Sequence, residues 1–242
     1  MPDRSGTRSA RGDDVGNRLI AALPAPARAR LRAGLHPVVL RAGQLLFQAD
    51  APLQTAYFPE RAVVALLARS VEGDTLEVGL VGRDGIAGLA LIPGVNAMPY
   101  DAVVQIGGAA WRVEAAALRS VCHDVAALPE VFGRYAYSVF AAGVQTAVCN
   151  NFHPIPQRCA RWLLTLHDLV LEDEFPVTQN LLALMLGVRR PTVTLAAHHL
   201  QQEGIVDYRH GRMRVRNRRA LERAACACYG QSRDHRHSLL GY

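Results

Sequence analysis

The chain has 242 residues, half of them hydrophobic and 20% charged, with a formal net charge of +6 and an isoelectric point near 9.4. That length predicts two domains, and the apolar fraction excludes a disordered chain. All 27 positions counted as Lys plus Arg are Arg, which favours an anionic partner engaged through planar, bidentate guanidinium groups. No apolar run approaches the ~20 residues of a membrane span, and the N-terminal MPDRSGTRSARGDD lacks a hydrophobic signal core. A cytoplasmic protein without a membrane partner is expected.

Residues 1–15, rich in Ser, Gly and charge, are expected to be disordered. From Asn17 to Leu35, the apolar residues Leu19, Ile20, Leu23, Leu31 and Leu35 surround Pro24 and Pro26, which predicts two short helices. Seven short β-compatible runs follow: His36–Leu40, Gln44–Phe47, Thr55–Phe58, Ala62–Ser70, Leu76–Val81, Ala102–Ile106 and Ala109–Val113. Glycine turns separate them, as in a sandwich, roll or barrel. Between the last runs, Gly82-Arg-Asp-Gly85 leads through Gly88 into a short apolar helix ending near Gly94. Such a turn can present backbone N–H groups to a phosphate or serve backbone geometry alone.

A long helix is predicted from Pro129 to Phe152. Phe132, Tyr135, Val139, Gly143 and Thr146 approximate a heptad seam, suited to a dimer contact or to packing on the chain's own roll. His153-Pro-Ile-Pro156 interrupts helical geometry and marks a domain boundary. Gln157–Leu171 resumes as a helix and feeds through the acidic turn Glu172-Asp-Glu174. Thr178-Gln179-Asn180 then caps a helix that stops at Gly187. A second helix runs from Arg189 to Glu203, with Val193, Ala196, Ala197 and Leu200 on one side and Arg190, Thr194 and His198 on another. Two short helices joined at a glycine turn suit a helix-turn-helix whose second member enters the DNA major groove.

Ile205–Arg209 and Arg212–Arg216 alternate about His210-Gly211, a hairpin signal that makes a wing. Arg212, Arg214 and Arg216 share its outer face. Val188–Arg219 holds eight Arg against Glu203 and Asp207, so phosphate is the expected partner. Arg219–Cys228 reads as a final short helix, and 230–242 as a mobile tail. The five cysteines, Cys122, Cys149, Cys159, Cys226 and Cys228, are odd in number and lack CxxC spacing. That argues against a disulfide framework and against structural zinc, and no metal site is expected. A thiol switch through Cys149, Cys159 or the Cys226 and Cys228 pair is a weaker alternative.

These features resemble the Crp/Fnr superfamily of bacterial transcription regulators over roughly residues 17–229. The resemblance is most specific in Arg158-Cys-Ala-Arg-Trp-Leu-Leu164, Phe175-Pro-Val-Thr-Gln179, Met185-Leu-Gly-Val-Arg-Arg190 and Gly204-Ile-Val-Asp-Tyr-Arg-His-Gly-Arg212. The Cys226-Ala-Cys-Tyr229 ending is typical of one branch. The resemblance implies an α+β fold: a cyclic-nucleotide-binding-like β-roll at 16–127, a dimerisation helix and hinge at 128–153, and a winged helix-turn-helix at 154–229. It implies a homodimer on double-stranded, palindromic operator DNA, with RNA polymerase as a further partner; no nucleophile and base arrangement, metal-ligand spacing or paired carboxylates point to an enzyme.

By position, the resemblance makes Arg190 the base-reading arginine and sets Gln179, Arg189 and Thr192 against phosphates. Thr178, Thr194, His198, Arg209, Arg212 and Arg214 complete the expected DNA contacts. Pro191 and Leu195 replace two polar readers of the family, so its best-known operator is not expected. Gly82, Gly85, Gly88, Leu89 and Tyr100 stand where an effector pocket would lie. There the family's cyclic-nucleotide binders carry a glutamate after the glycine and a later Arg-Ser or Arg-Thr pair. Here Gly88 precedes Leu89-Ala90 and the later segment is Asn96-Ala-Met-Pro-Tyr100, which argues against classical cyclic-AMP binding. No N-terminal cysteine cluster supports an iron-sulfur centre, and haem stays open because nothing singles out one of nine histidines. The alternative of another class is a small-ligand sensor acting through protein contacts, with a vestigial head.

Overall fold

The side chain of Asn17 caps the first helix and anchors it to the sheets. Its Oδ1 accepts from Ile20 N at the start of α1 (Arg18–Ala21), while Nδ2 donates to the Pro59 and Gly85 carbonyls. The computed structural model describes residues 16–170 and 172–242, so the expectation for 1–15 lies outside them. Pro24, the N-cap of α2 (Ala25–Arg32), stands between the two short helices as anticipated, and Pro26 lies in the first turn of the second.

The seven strands form close to their expected places: β1 (His36–Leu40), β2 (Leu45–Phe47), β3 (Thr55–Pro59), β4 (Val63–Arg69), β5 (Thr75–Val81), β6 (Asp101–Ile106) and β7 (Gly108–Glu114). All pairings are antiparallel, in two sheets ordered β1-β7-β3 and β2-β6-β4-β5. Between the sheets lies one apolar core containing Phe58, Val64, Leu66, Ile86 and Leu91. The expected apolar helix is a single 3-10 turn, Leu89–Leu91, entered through Gly88 at φ 98°. A Cβ at Gly88 would also press on Ala56 at 3.1 Å. The helix α3 (Ala115–Asp124) was not expected. Its alanines carry helix propensity without a conspicuous stripe of large apolar groups.

The long helix α4 (Ala127–Phe152) has 26 residues. Its N-terminal half buries Leu128, Val131, Phe132, Tyr135 and Ser138 on its own roll, with the Phe58 and Phe132 rings 6.2 Å apart. This corrects the expected seam. Phe132 and Tyr135 are core residues, Val139 packs beside them, and Thr146 accepts a hydrogen bond from Arg161 Nη2; Gly143 alone of the five faces solvent. The helix carries two heptad-like stripes, and the roll claims the one with the better aromatic fit. The other stripe, Gly133, Tyr137, Phe140, Val144, Ala147 and Asn151, repeats at four and three residues and is exposed along its length.

After Pro154 the head begins with α5 (Ile155–Leu169), followed by β8 (Glu174–Pro176), α6 (Gln179–Leu186), α7 (Arg190–Gln202), β9 (Val206–Arg209), β10 (Arg212–Val215) and α8 (Arg218–Ala224). Their core includes Leu163, Leu166, Phe175, Leu182, Val193, Leu200 and Met213. The expected wing has a third strand, for β8 pairs with β10 in the order β8-β10-β9. His210 at φ 50° and Gly211 at φ 74° supply the two left-handed positions of its tight turn.

The expected mobile tail is a helix, α9 (Cys228–Leu240). Tyr229 is buried, Leu240 and Tyr242 pack on the roll core, Tyr242 Oη donates to the Asp84 carbonyl, and Arg236 pairs with the Asp84 carboxylate. The polar composition was misleading because the anchoring residues stand at the ends of the segment. No described helix is long and apolar enough to cross a membrane.

The head packs against β5. Leu169 fits against Gly82, Leu76 touches Gly187, and Trp162 Nε1 donates to Glu77 Oε2 at 2.9 Å. Burial pushes the Glu77 carboxyl from its ordinary 4.5 up to about 8, against the opposing effects of the Trp162 N–H and the Arg161 charge. A carboxyl raised on folding binds its proton more tightly in the native state. The contact is therefore strongest below about pH 4.5 and weakens as pH rises toward 8. Thermal unfolding measured across that range should show stability falling with pH, and Glu77→Gln should flatten the slope. An equal slope in the variant would assign the dependence to other groups.

Candidate nucleic-acid interface

Thr178 initiates the reading unit. Its Oγ1 accepts from Leu181 N at the start of α6, which makes it the helix cap. The helix closes at Gly187, left-handed at φ 63°, whose N–H returns to Ala183 and Leu184 carbonyls. After Val188 and the N-cap Arg189, α7 starts at Arg190, with Pro191 in its first turn. Val193, Ala196, Ala197 and Leu200 are buried, while Arg189, Arg190, Pro191, Thr192, Leu195, His198 and His199 face solvent. Packing thus fixes the helix by one face and leaves the opposite face open.

On that open face the polar residues are connected. Gln179 Oε1 accepts from Thr194 Oγ1 at 3.0 Å and, more loosely, from Arg190 Nε at 3.4 Å; Thr194 Oγ1 also bonds the Arg190 carbonyl. The amide therefore orients the guanidinium without holding it tightly.

The wing arginines are outward as expected but not free. Glu174 on β8 accepts from Arg212 Nε at 2.6 Å and from Arg214 Nε at 2.9 Å, while Asp207 pairs with Arg209 and Arg216. The Arg212 and Arg214 hydrogen bonds hold the Glu174 carboxyl below its ordinary range. Arg218, counted with the basic run, turns inward to Asp168, Tyr229 and Glu222. Glu174→Gln should release Arg212 and Arg214 and strengthen binding to random duplex several-fold. The log–log salt slope should steepen by up to about 2 per chain, because each neutralised phosphate contributes ~0.9. An unchanged slope would show that these two arginines do not meet phosphate.

The five effector-pocket candidates serve separate contacts. Gly82 faces Leu169 of the head, any side chain at Gly85 would run into the Tyr135 ring, and Gly88 makes the left-handed turn. Leu89 and Tyr100 pack on the apolar roll core, where burial raises the Tyr100 hydroxyl to about 12.

One grouping was missed from the sequence. Cys149, His153, Cys226 and Cys228 bring their ligand atoms within 4.8 Å of one another, whereas Cys122 and Cys159 lie in separate apolar cores. Spacing concealed it, because no CxxC is present. The available signal was a Cys-x3-His turn at a helix end and a Cys-x-Cys pair, which only the fold juxtaposes.

Residues 157–224 match the model of the Crp-like helix-turn-helix domain. No curated protein matches the chain by sequence. Among solved structures, FixK2 from Bradyrhizobium japonicum is similar at 16% identity and TM-score 0.64, covering 80% of this chain and 98% of that one. A CRP-family transcriptional regulator from Thermus thermophilus aligns at 20% identity and TM-score 0.65, over 78% and 96%. The regulator CLP of Xanthomonas campestris aligns at 18% identity and TM-score 0.63, over 79% and 99%. Residues 157–224 thus match the Crp-like helix-turn-helix domain, and the chain as a whole shares its fold with these solved regulators.

Proposed function

We propose that this protein is a sequence-specific DNA-binding regulator that works as a homodimer on a palindromic operator and does not use classical cyclic-AMP chemistry. The observation that carries the reading is the division of α7 into a buried apolar face and an exposed face bearing Arg189, Arg190, Thr192 and His198. Arg190 would read a guanine edge, and Arg189, Thr192, Gln179 and the wing would meet phosphates. Leu195, 74% exposed on the same face, suits contact with a thymine methyl. These intact groups favour DNA over the vestigial-head alternative. Apolar packing of Leu89 and Tyr100, with no charged pair after Gly88, supports the absence of classical cyclic-AMP recognition.

Cytoplasmic residence and contact with RNA polymerase belong to the same proposal, as consequences of acting on promoters. Selection of bound sequences from a random duplex pool tests it. One enriched motif with inverted half-sites about 10 bp apart is expected; no enrichment over competitor would overturn it.

A further inference from the structure

Cys149 lies in the last turn of α4, and His153 follows one turn later as its C-cap. Cys226 comes from the short connection between α8 and α9, and Cys228 is the first residue of α9. The Cys149 and Cys226 sulfurs are 3.4 Å apart, and Cys228 Sγ is 3.5 Å from His153 Nδ1. A tetrahedral ion with ~2.3 Å bonds to sulfur and ~2.0 Å to nitrogen has edges of ~3.8 Å between sulfurs and ~3.5 Å from sulfur to nitrogen. The observed spacings are close to these edges. Four ligand atoms all within 4.8 Å of one another suit a single ion better than a multi-iron cluster, whose ligands must span more than one iron.

Surrounding groups suit an anionic thiolate centre. Gln145 Nε2 donates to Cys228 Sγ at 2.9 Å, an outer-shell bond that would orient a ligating sulfur. Arg158 interacts electrostatically with the Cys149 and Cys226 sulfurs, and its Nη2 donates to the Leu186 carbonyl at the end of α6. All three cysteines are buried and His153 is half-buried.

We propose that Cys149, His153, Cys226 and Cys228 form a closed, four-coordinate structural zinc site. Binding converts three thiols to thiolates and releases their three protons to solvent, giving a centre of net charge −1 that the Arg158 guanidinium offsets. Four protein ligands leave no open position, so the ion supplies cross-linking rather than catalysis. Its placement gives that cross-link a purpose. The two ligand pairs flank residues 154–225, which contain the helix-turn-helix domain. Zinc would therefore clasp the entry and exit of the head to the end of α4 and fix the head at the hinge.

Metal analysis of the full chain tests this independently of DNA binding. Protein purified under reducing conditions, loaded with zinc and dialysed should retain one zinc per chain by mass spectrometry. Exchange for Co²⁺ should give the intense visible bands of a tetrahedral cobalt–thiolate centre. The Cys226→Ser/Cys228→Ser double variant and His153→Ala should lose stoichiometric zinc, while Cys122→Ala should keep it. Wild-type protein without stoichiometric zinc would overturn the site, as would full zinc retention by the double variant, acid-labile sulfide, or a Cys149–Cys226 disulfide persisting under reducing conditions.

Discussion

Arg190→Ala is expected to lower operator affinity of the dimer by about 2–6 kcal/mol, since each bidentate guanine contact contributes ~1–3 kcal/mol and the dimer has two. At 1.4 kcal/mol per decade that is between about 30-fold and 10⁴-fold. The geometry favours a specific rather than a general loss. Arg190 is exposed at the start of α7, and its Nε sits 3.4 Å from Gln179 Oε1, long enough to be given up for a base edge. Truncation removes that contact while Val193, Ala196 and Leu200 keep the helix seated. Competition titrations against the operator and against single-base-pair variants should show discrimination relaxed at one position per half-site. Arg189→Ala, by contrast, should weaken all sequences alike and reduce the salt slope. Unchanged discrimination by Arg190→Ala would remove that side chain from the reader role.

The β-roll and the reading unit were legible because their signals are local. Alternation and glycine turns place β1 to β7, and a Thr cap, Gly187 and the His210-Gly211 turn punctuate the head. What the chain pattern could not settle was competition between similar signals. Phe132 with Tyr135 and Phe140 with Val144 are equally plausible seams on one helix, and only the aromatic-lined roll decides which is buried. Partnerships at long range were hidden for the same reason. Glu174 reads as part of an acidic turn until β8 pairs with β10 and sets its carboxylate between Arg212 and Arg214. Tyr242 reads as tail until its hydroxyl reaches Asp84, 158 positions away.

Replacing Phe140 and Val144 together by glutamate is expected to convert the protein to a monomer and cost at least ~100-fold in operator affinity, the low end of what linking two binding modules contributes. The protomer leaves Tyr137 54%, Phe140 67%, Val144 51% and Val148 41% exposed along one side of α4. Gly133 and Ala147 on the same side would let a second helix approach closely, and Asn151 offers the polar position that sets register. Burying four such half-exposed side chains from each of two helices gains on the order of 10 kcal/mol gross, at ~1.5–3 kcal/mol for each full burial. Association itself costs ~4–15 kcal/mol, so the stripe decides the balance and four buried carboxylates would reverse it. Because both positions face solvent in the protomer, the unfolding temperature extrapolated to low concentration should barely change. Sedimentation should then give one 26.3 kDa species where the parent gives two associated chains. If the variant stayed dimeric, the contact between protomers would have to lie elsewhere than on this face of α4.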